Sequence, residues 1–268
     1  MAPAFLELLR ARLAPASVRS VAALECFDSI DSTNAHLLAA AVPPAGQASV
    51  CVAAHQTAGR GRRGRTWLTP PGSGVCLSFG WTFPVARCDL SALTLAVGVA
   101  VRRALQSLGT IDIGLKWPND LVVNGGKLGG ILAEVRLIAE ATYVVIGIGV
   151  NLDLPADFAA AVAAQGGQPP QDLRRAGLSD VNAVSVAAVL IDQLCLALPV
   201  YAAHGFEPFS REWTEADILR DRCVEWVTGE TRREGIARGI ASDGTLLVEY
   251  AGGMERLIAG EVTLRRAA

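Results

Sequence analysis

The sequence predicts an α+β fold, in which a mixed β-sheet packed with helices occupies residues 1–221 and a small β-barrel domain occupies residues 222–268. Strand-like and helix-like segments alternate in the first part, which includes a hairpin followed by a further strand. Near Arg222 the composition changes to short strand-like runs separated by TGE, SDG and AGG, a spacing typical of a small barrel. The 268 residues, 51% of them hydrophobic, allow about one to two domains with a substantial core.

Two helices and two strands are predicted at the start of the chain. LELLRARL indicates a short first helix, and in DSTNAHLLAAA the residues Asp31 and Ser32 occupy N-cap positions ahead of the second. SVCVAAH and VCLSFGWTF indicate strands. In the latter strand, alternate apolar residues share one face, and these are Val75, Leu77, Phe79 and Trp81.

The middle of the chain predicts a long helix and then a group of strands. DLSALTLAVGVAVRRALQSLG indicates an amphipathic helix ended by Gly109. Its apolar stripe contains Leu93, Val97, Val101, Leu105 and Leu108. DIGLKW indicates a strand, the turn Asn124–Gly126 joins LVV to KLGGILAEV as a hairpin, and TYVVIGIGVNL indicates a further strand. We expect residues 154–177 to be irregular or partly helical and VSVAAVLIDQLCLAL to form a strong helix.

Composition indicates a soluble protein of a reducing compartment. The six cysteines contain no C-x-x-C pair and there are three histidines, so neither a zinc site nor a redox site is expected. Glu7, Arg10 and Arg12 lie where a signal peptide would be apolar, and Asp192 and Gln193 interrupt the most apolar later stretch. We therefore expect a cytoplasmic protein without a membrane segment. Its cysteines are expected to be buried thiols: Cys26, Cys51, Cys76, Cys88, Cys195 and Cys223.

An arginine-rich loop, HQTAGRGRRGRTW (55–67), is the first candidate for a function. Its glycines match G-x-G-x-x-G of dinucleotide-binding proteins, but the sequence PPG at 70–72 excludes the long helix that this motif requires. The net charge of −2 and the pI of about 6 argue against a nucleic-acid-binding domain. A solvated, charged turn is the alternative to a binding role. Residues 32–88 contain no Asp or Glu, so a small anionic ligand is expected to balance the arginines.

Three more segments combine features of turns and of binding sites. KWPND (116–120) ends a predicted strand, and ordinary turn chemistry is its alternative explanation. GGKLGGILAE places Lys127 between glycine pairs, where its ammonium either reaches an anion or stays solvated. GIGVN (147–151) is a buried strand of small residues, for which packing alone is a sufficient reason. None of the three decides the function by itself.

In their order and spacing, DSTN, QTAGRGRRGR, KWPND, GGKLGGILAE and GIGVN resemble the catalytic domain of biotin protein ligases. GIARGIASDGTLLVEY and GEVTLR are similar to the small SH3-like C-terminal domain of that family. The resemblance covers nearly the whole chain from residue 26 onward. The segment before DSTN is too short for the winged helix-turn-helix domain of some members, so DNA binding is not expected.

The resemblance implies an enzyme that uses ATP with Mg²⁺ to convert biotin into biotinyl-5'-AMP, with loss of pyrophosphate. The acyl group then passes to one lysine of a biotin carboxyl carrier protein. Lys127, Arg62 and Asp120 are the implied catalytic residues. Asp120 either helps to deprotonate the incoming lysine or organises magnesium with ATP, and the sequence leaves both roles open. It also leaves a homodimer open.

The resemblance divides the remaining site residues between the two substrates. Arg62 and Lys127 also belong to the biotin group, whose other members are Ser32, Thr33, Asn34, Gln56, Arg60 and Gly61. Asp120 also belongs to the ATP group, whose other members are Arg65, Trp67, Asn119 and Asn151. Trp67 is expected to stack on adenine.

Three other functions stay open at this point. A lipoate or octanoate ligase or transferase also acylates a carrier lysine, but GRGRRGR together with KWPND favours biotin. A noncatalytic biotin or nucleotide sensor would not need Arg62, Lys127 and Asp120 together. An arginine-rich RNA-binding protein disagrees with the acidic pI.

Overall fold

The structure is a computed structural model that describes residues 2–83, 89–138, 141–164, 166–228, 231–258 and 262–264. Its helices are α1 Ala2–Arg12, α2 Pro15–Ser20, α3 Thr33–Ala39, α4 Leu93–Gln106, α5 Phe158–Ala164, α6 Ala183–His204 and α7 Glu207–Ala216. Its strands are β1 Val21–Phe27, β2 Ala48–Ala53, β3 Gly74–Phe83, β4 Gly114–Lys116, β5 Asp120–Val123, β6 Gly126–Ile138, β7 Ala141–Asn151, β8 Cys223–Thr228, β9 Thr231–Ile240, β10 Leu246–Tyr250, β11 Gly253–Leu257 and β12 Val262–Leu264. One turn of 3₁₀ helix covers Arg62–Gly64.

The larger sheet has seven strands in the order β1-β2-β3-β7-β6-β5-β4. β1 and β2 are parallel, and all the other neighbours in the sheet are antiparallel. The sheet is therefore mixed. With the helices that pack on it, it confirms the α+β class predicted for the first part of the chain.

Strand β7 shows how this sheet divides the molecule into two layers. Ile146, Ile148 and Val150 belong to the main apolar core, which α4 and α6 also enter. Gly147 and Gly149 alternate with them and line a cavity on the opposite face. Because successive side chains of a strand point to opposite faces, this end of β7 fills the core on one face and presents only backbone at Gly147 and Gly149 on the other. Tyr143 and Val145 cover that second face earlier in the strand.

The prediction for β3 is correct for one face and incomplete for the other. Leu77 and Phe79 enter the main core as predicted. Cys76 and Ser78 point to the other face, which α3 contacts, and all ten residues of the strand are buried. A central strand that is covered on both faces is buried throughout.

The β5–β6 hairpin agrees with the sequence. Asn124 and Gly125 have φ angles of 48° and 74°, the left-handed backbone that a two-residue hairpin turn of this kind requires. The turn places Lys127 at the start of β6, one residue after Gly126. The hairpin therefore sets where the lysine enters the cavity.

Helix ends agree with the sequence in one case and differ in another. The side chain of Ser32 accepts a hydrogen bond from Ala35 N–H, so Ser32 is the N-cap of α3 as predicted. Helix α4 ends at Gln106, before the predicted end at Gly109. The difference arises because the following residues make tighter i→i−3 bonds, as Leu108 N–H does to Leu105 O.

Helix α6 is long and apolar enough to cross a membrane by length and composition alone. In this fold it packs against α1, α4 and β3, and 50% of its most apolar window is buried. Asn182 caps its N-terminus, where the side chain accepts a hydrogen bond from Ser185 N–H. Core packing is a sufficient reason for its apolar composition.

The C-terminal domain contains an antiparallel sheet of five strands in the order β11-β10-β9-β8-β12. Its small core holds Val224, Trp226, Leu246 and Val248. The first strand begins at Cys223, directly after the change in composition. This small β domain is of the SH3-like kind expected from the sequence.

Within the described residues, five cysteines are free thiols. Cys51 and Cys76 are buried as predicted, and burial raises the pKa of Cys51 to about 12. The prediction of full burial is wrong for the half-buried thiols, which are Cys26, Cys195 and Cys223. Cys88 lies outside the described residues.

Candidate active site

A cavity of about 420 Å³ lies on the face of the larger sheet to which Gly147 and Gly149 point. Its floor includes Gly147 and Gly149 of β7, and its walls include the arginine-rich loop and the KWPND segment. All thirteen residues assigned to the site from the sequence line this one cavity: Ser32, Thr33, Asn34, Gln56, Arg60, Gly61, Arg62, Arg65, Trp67, Asn119, Asp120, Lys127 and Asn151. The fold thus brings together the five motifs, although their individual roles remain predictions.

A network of polar groups occupies the end of the cavity next to α3. Gln56 Oε1 accepts hydrogen bonds from Thr33 N–H at 2.8 Å and from the Thr33 hydroxyl at 3.0 Å. The buried Ser78 hydroxyl lies 2.7 Å from Thr33 Oγ1 and 2.5 Å from Asn34 Oδ1. Ser78 was not predicted as a site residue, because within a strand pattern a serine carries no signal of its own. It fixes the side chains from behind the cavity wall.

Glu134 connects this network to the arginine-rich loop. Asn34 Nδ2 donates to one carboxylate oxygen at 2.8 Å, and Arg60 Nη2 lies 3.1 Å from the other. The absence of acidic residues between positions 32 and 88 therefore does not leave Arg60 without a counter-charge, since β6 supplies one. The remaining requirement for an anion rests on the other cations of the cavity.

Trp67 lies flat against the floor of the cavity. A Cβ atom at Gly149 would overlap the Trp67 indole, so only glycine leaves room for the ring. Lys127 Nζ lies 5.7 Å from the centroid of the same ring. The indole nitrogen is buried and has no hydrogen-bond partner among the described residues. Trp67 therefore presents an aromatic surface beside the Lys127 ammonium, and its stacking on adenine stays a prediction.

The ion pair between Lys127 and Asp120 is central to the cavity. The ammonium lies 2.6 Å from Asp120 Oδ1, and both side chains are largely shielded from solvent. Asp120 Oδ2 accepts a longer hydrogen bond of 3.4 Å from Gln168 Nε2. Two sequence motifs that were weak when considered alone thus form one charged unit.

The backbone at Lys127 is held on both sides. Lys127 N–H donates to Pro169 O at 2.8 Å, and Lys127 O accepts from Gln171 N–H at 2.9 Å. Asn151 Nδ2 also donates to Lys127 O, at 3.2 Å, and to Gln171 O, at 2.9 Å. Asn151 therefore helps to hold Lys127, and its assignment to the ATP group stays a prediction.

Arg62 reaches across the cavity to the KWPND segment. Its Nη1 donates to Asn119 Oδ1 at 3.3 Å, while Asn119 Nδ2 donates to Ile131 O at 2.8 Å. Burial lowers the pKa of the Arg62 guanidinium, and the nearby Arg63 lowers it further. The guanidinium is thus a partly desolvated cation, which gains from an anionic partner.

The arginine-rich loop is a short closed hairpin. Gly61 N–H donates to Arg65 O at 2.7 Å and Trp67 N–H donates to Gly59 O at 2.9 Å. Gly59 has no room for a side chain, because a Cβ would overlap the Trp67 carbonyl oxygen. Gly64 has a φ of 73°, which favours glycine at the tip. The glycines therefore serve a tight turn, which presents Arg62 and its neighbours to the cavity.

Lys116 is a cavity residue that the sequence interpretation missed. It is the first residue of KWPND, ends β4 and is only 7% exposed. Burial lowers its pKa below the ordinary value of 10.5, Asp120 raises it, and Lys127 and Arg65 lower it. A lysine at the end of a short strand gives no pattern that distinguishes it from a solvated one.

The wall opposite the sheet comes from segments that gave no functional signal in the sequence. Phe158 and Val162 of α5 and the residues Gln168 and Pro170 line the cavity beside Asp120 and Lys127. Val262 of the small domain also lines it. These contacts depend on chain packing and could not be read from residue type.

The described residues contain no cluster of three or more His, Cys, Asp or Glu side chains that could hold a metal ion. Among those that line the cavity, Asp120 is the only carboxylate. Magnesium that arrives with ATP takes most of its ligands from phosphate and water and needs only about one or two carboxylates. The donor set therefore fits a substrate-borne magnesium ion beside Asp120.

Comparison with known proteins agrees with this geometry. Residues 26–151 match the biotin/lipoate A/B protein ligase family, and residues 227–265 match the biotin protein ligase C-terminal domain. A solved biotin protein ligase from Aquifex aeolicus in complex with biotin and ATP superposes with a TM-score of 0.74 at 26% identity. The match covers 92% of this chain and 100% of that one.

Two curated relatives extend the comparison. The chain is 34% identical over 239 residues to the bifunctional ligase/repressor BirA of Escherichia coli, which covers 89% of this chain and 73% of that protein. It is 32% identical over 244 residues to the biotin--[acetyl-CoA-carboxylase] ligase of Paracoccus denitrificans, which covers 87% of this chain and 96% of that protein. With identity at this level across both domains, the chain belongs to the biotin protein ligase family.

Proposed function

We propose that the protein activates biotin with ATP and transfers it to a lysine of a biotin carboxyl carrier protein. The observation that carries the proposal is the position of the Lys127–Asp120 pair, between a polar network and an aromatic platform in one cavity. A ligase of this kind has to bring together a bicyclic carboxylic acid and a nucleotide, whose carboxylate and phosphate groups are both anionic. The cavity offers a distinct set of side chains for each of them.

The α3 end of the cavity suits the ureido ring of biotin. That ring has two N–H donors and a carbonyl acceptor, and Ser32, Thr33, Asn34 and Gln56 provide both kinds of partner. Ser78 and Glu134 hold Thr33 and Asn34, and Thr33 in turn holds Gln56, before any ligand arrives. A preorganised site binds its ligand without the cost of ordering these side chains.

The centre of the cavity suits the meeting of two anions. A biotin carboxylate oxygen attacks the α-phosphorus of ATP, an oxygen–phosphorus bond forms, and the bond to pyrophosphate breaks. Lys127, Arg60 and Arg62 would neutralise the charges that repel each other on approach. Positioning together with charge neutralisation accounts for most of the catalysis in such a step.

The other end of the cavity suits the nucleotide. Trp67 offers a face for adenine, and Arg65, Asn119 and Asp120 line the same region. Both carboxylate oxygens of Asp120 already accept from Lys127 and Gln168. Through its ion pair Asp120 orients the Lys127 ammonium, and the organisation of MgATP and proton removal from the carrier lysine both stay candidate roles of its carboxylate.

In the second step the carrier lysine attacks the carbonyl carbon of biotinyl-5'-AMP. An amide bond forms, the bond between carbonyl carbon and phosphate oxygen breaks, and AMP leaves with that oxygen. The incoming amine has to lose a proton before it can attack. The free thiols are consistent with the reducing cytoplasm in which we place this reaction.

The carboxylic acid that the protein activates distinguishes a biotin ligase from the alternative functions. A lipoate or octanoate ligase would accept an acyl chain without a ureido ring, for which the hydrogen-bonding groups around Gln56 would have no partner. A noncatalytic sensor would bind biotin or a nucleotide without turnover. The Lys127–Asp120 pair and Arg62 in one cavity support catalysis.

The function is tested by exchange of labelled pyrophosphate into ATP. We expect exchange that requires biotin and magnesium, because adenylate formation is reversible. Lipoate or octanoate in place of biotin should give none. Exchange with those acids, or no exchange with biotin, would contradict the proposal.

Replacement of Lys127 should affect rate more than binding. If its ammonium neutralises charge mainly in the transition state, Lys127→Ala should slow adenylate formation by about a hundredfold, or about 3 kcal/mol. Biotin affinity by calorimetry should change much less. Lys127→Met serves as the control for the side-chain stem packed over Trp67. Single-turnover rates near wild type in either variant would refute the role.

Arg62 is expected to retain the intermediate. The Arg62→Gly variant should still form adenylate, since Lys127 and Asp120 remain. It should release the adenylate at least about tenfold faster, because a charge-assisted hydrogen bond is worth about 1.5 kcal/mol or more. Released adenylate should then label bystander lysines, for example on serum albumin. Arg62→Lys, which keeps the charge, should fall between the two. Retention equal to wild type would disprove this assignment.

Lys116 should give the exchange rate an alkaline limit. Because burial lowers its pKa below 10.5, its positive charge is lost at a lower pH than the charge of an ordinary lysine as the pH rises. If that charge balances the phosphates, kcat/KM for ATP should fall on the alkaline side. Lys116→Arg should move the fall to higher pH, since a guanidinium stays protonated. An unchanged pH profile in Lys116→Arg would exclude Lys116 as its origin.

A further inference from the structure

A buried hydrogen bond joins the small domain to the KWPND segment. The Trp117 indole N–H donates to Gly244 O at 3.0 Å, across 127 residues of sequence. Trp117 is 2% exposed and lines the main cavity between Lys116 and Pro118. Gly244 belongs to the turn that connects β9 and β10. The bond therefore links the edge of the candidate active site to a domain that supplies few of its other groups.

The turn that carries Gly244 is held by its own hydrogen bonds. Ala241 N–H donates to Thr245 O and Gly244 N–H donates to Ala241 O, both at 2.9 Å. Asp243 Oδ1 accepts from Thr245 N–H at 3.1 Å and from its hydroxyl at 2.8 Å, and Arg256 pairs with Asp243 Oδ2 at 2.7 Å. A turn closed in this way keeps its shape when it contacts another surface.

The turn fits closely against the start of α4. Gly244 has a φ of 82°, and a Cβ atom there would lie 2.8 Å from Ala92 Cβ and 3.2 Å from Leu95 Cδ1. Both the backbone conformation and the close approach thus require glycine. Any side chain at this position would lift the turn away from Trp117.

From Trp117 the contacts continue into the ATP half of the cavity. Asn119, two positions later in the chain, exchanges hydrogen bonds with the backbone of Ile131 and accepts one from Arg62. Arg62, Trp117 and Gly244 also share the walls of a second cavity of about 210 Å³. The biotin half is held differently, by Ser78 and Glu134 of the larger sheet.

We propose that Trp117 is a positioning residue, through which the carbonyl of Gly244 fixes Asn119 and Asp120 for ATP. This inference rests on the proposed adenylate-forming function. The small domain then acts on the nucleotide half without contributing a group to the chemistry. A displacement of about 1 Å in a reacting group can cost up to about a hundredfold in rate, so a distant contact is sufficient.

The test uses two variants that break the contact from either side, each with a matched control. Trp117→Phe removes the N–H donor, and Trp81→Phe makes the same change at a buried indole whose nitrogen has no partner among the described residues. Gly244→Ala displaces the turn. Gly239→Ala has the same type of backbone, with a φ of 91°, but open space around it.

The expected result separates ATP from biotin. Trp117→Phe and Gly244→Ala should each raise KM for ATP and lower the rate of adenylate formation. In each single variant the two effects should combine to lower kcat/KM for ATP by about tenfold. Their biotin affinity should stay within about twofold of wild type. Trp81→Phe and Gly239→Ala should keep wild-type values for ATP. The double variant should be no worse than the poorer single variant, since both changes break one contact.

Four outcomes would overturn the inference. In the first, the ATP parameters of Trp117→Phe equal those of Trp81→Phe. In the second, the effects of Trp117→Phe and Gly244→Ala are additive. In the third, ATP and biotin are affected equally. In the fourth, folding is lost only in Trp117→Phe and Gly244→Ala, which would mean that the contact is purely structural. If wild-type protein shows no biotin-dependent exchange, the proposed function fails and this inference fails with it.

Discussion

The site depends on the alternation of large side chains and glycines along β7. Ile146, Ile148 and Val150 face the core, whereas Gly147 and Gly149 expose backbone to the cavity. A Cβ at either glycine would overlap Asn34 or Trp67. Because both ends of the cavity rest on this strip, the apolar core and the binding surface are set by one strand at a period of two residues.

The second constraint is charge. Arg60, Arg62, Lys116 and Lys127 surround the cavity, while Asp120 is the only carboxylate among its described lining residues. Glu134 balances Arg60 from outside the cavity. In the empty cavity, this partly desolvated group of cations with a single carboxylate raises the free energy of the folded protein until further negative charge binds. A carboxylate and a triphosphate provide that charge, so the same groups that make the empty site unfavourable favour its ligands.

The sequence predicted most of the fold and the members of the site, for identifiable physical reasons. The Asn124–Gly126 turn, the Ser32 cap and the motif residues have strong local signals. Ser78 lies outside the motifs, and Lys116 and Glu134 belong to KWPND and GGKLGGILAE but were assigned no role, since the roles of all three come from neighbours far away in sequence. The end of α4 and the partial burial of three cysteines were missed because both depend on packing.

The contribution of both ends of the chain to one cavity has a consequence for folding. Ser32 enters the cavity from near the N-terminus and Val262 from near the C-terminus, and the Trp117–Gly244 bond spans 127 residues. Contacts of such sequence separation form late, because the intervening chain has to be ordered first. During synthesis on the ribosome, the larger sheet can pair before the proposed nucleotide half of the cavity is closed. The capacity to bind biotin should therefore precede the capacity to use ATP in the life of each molecule.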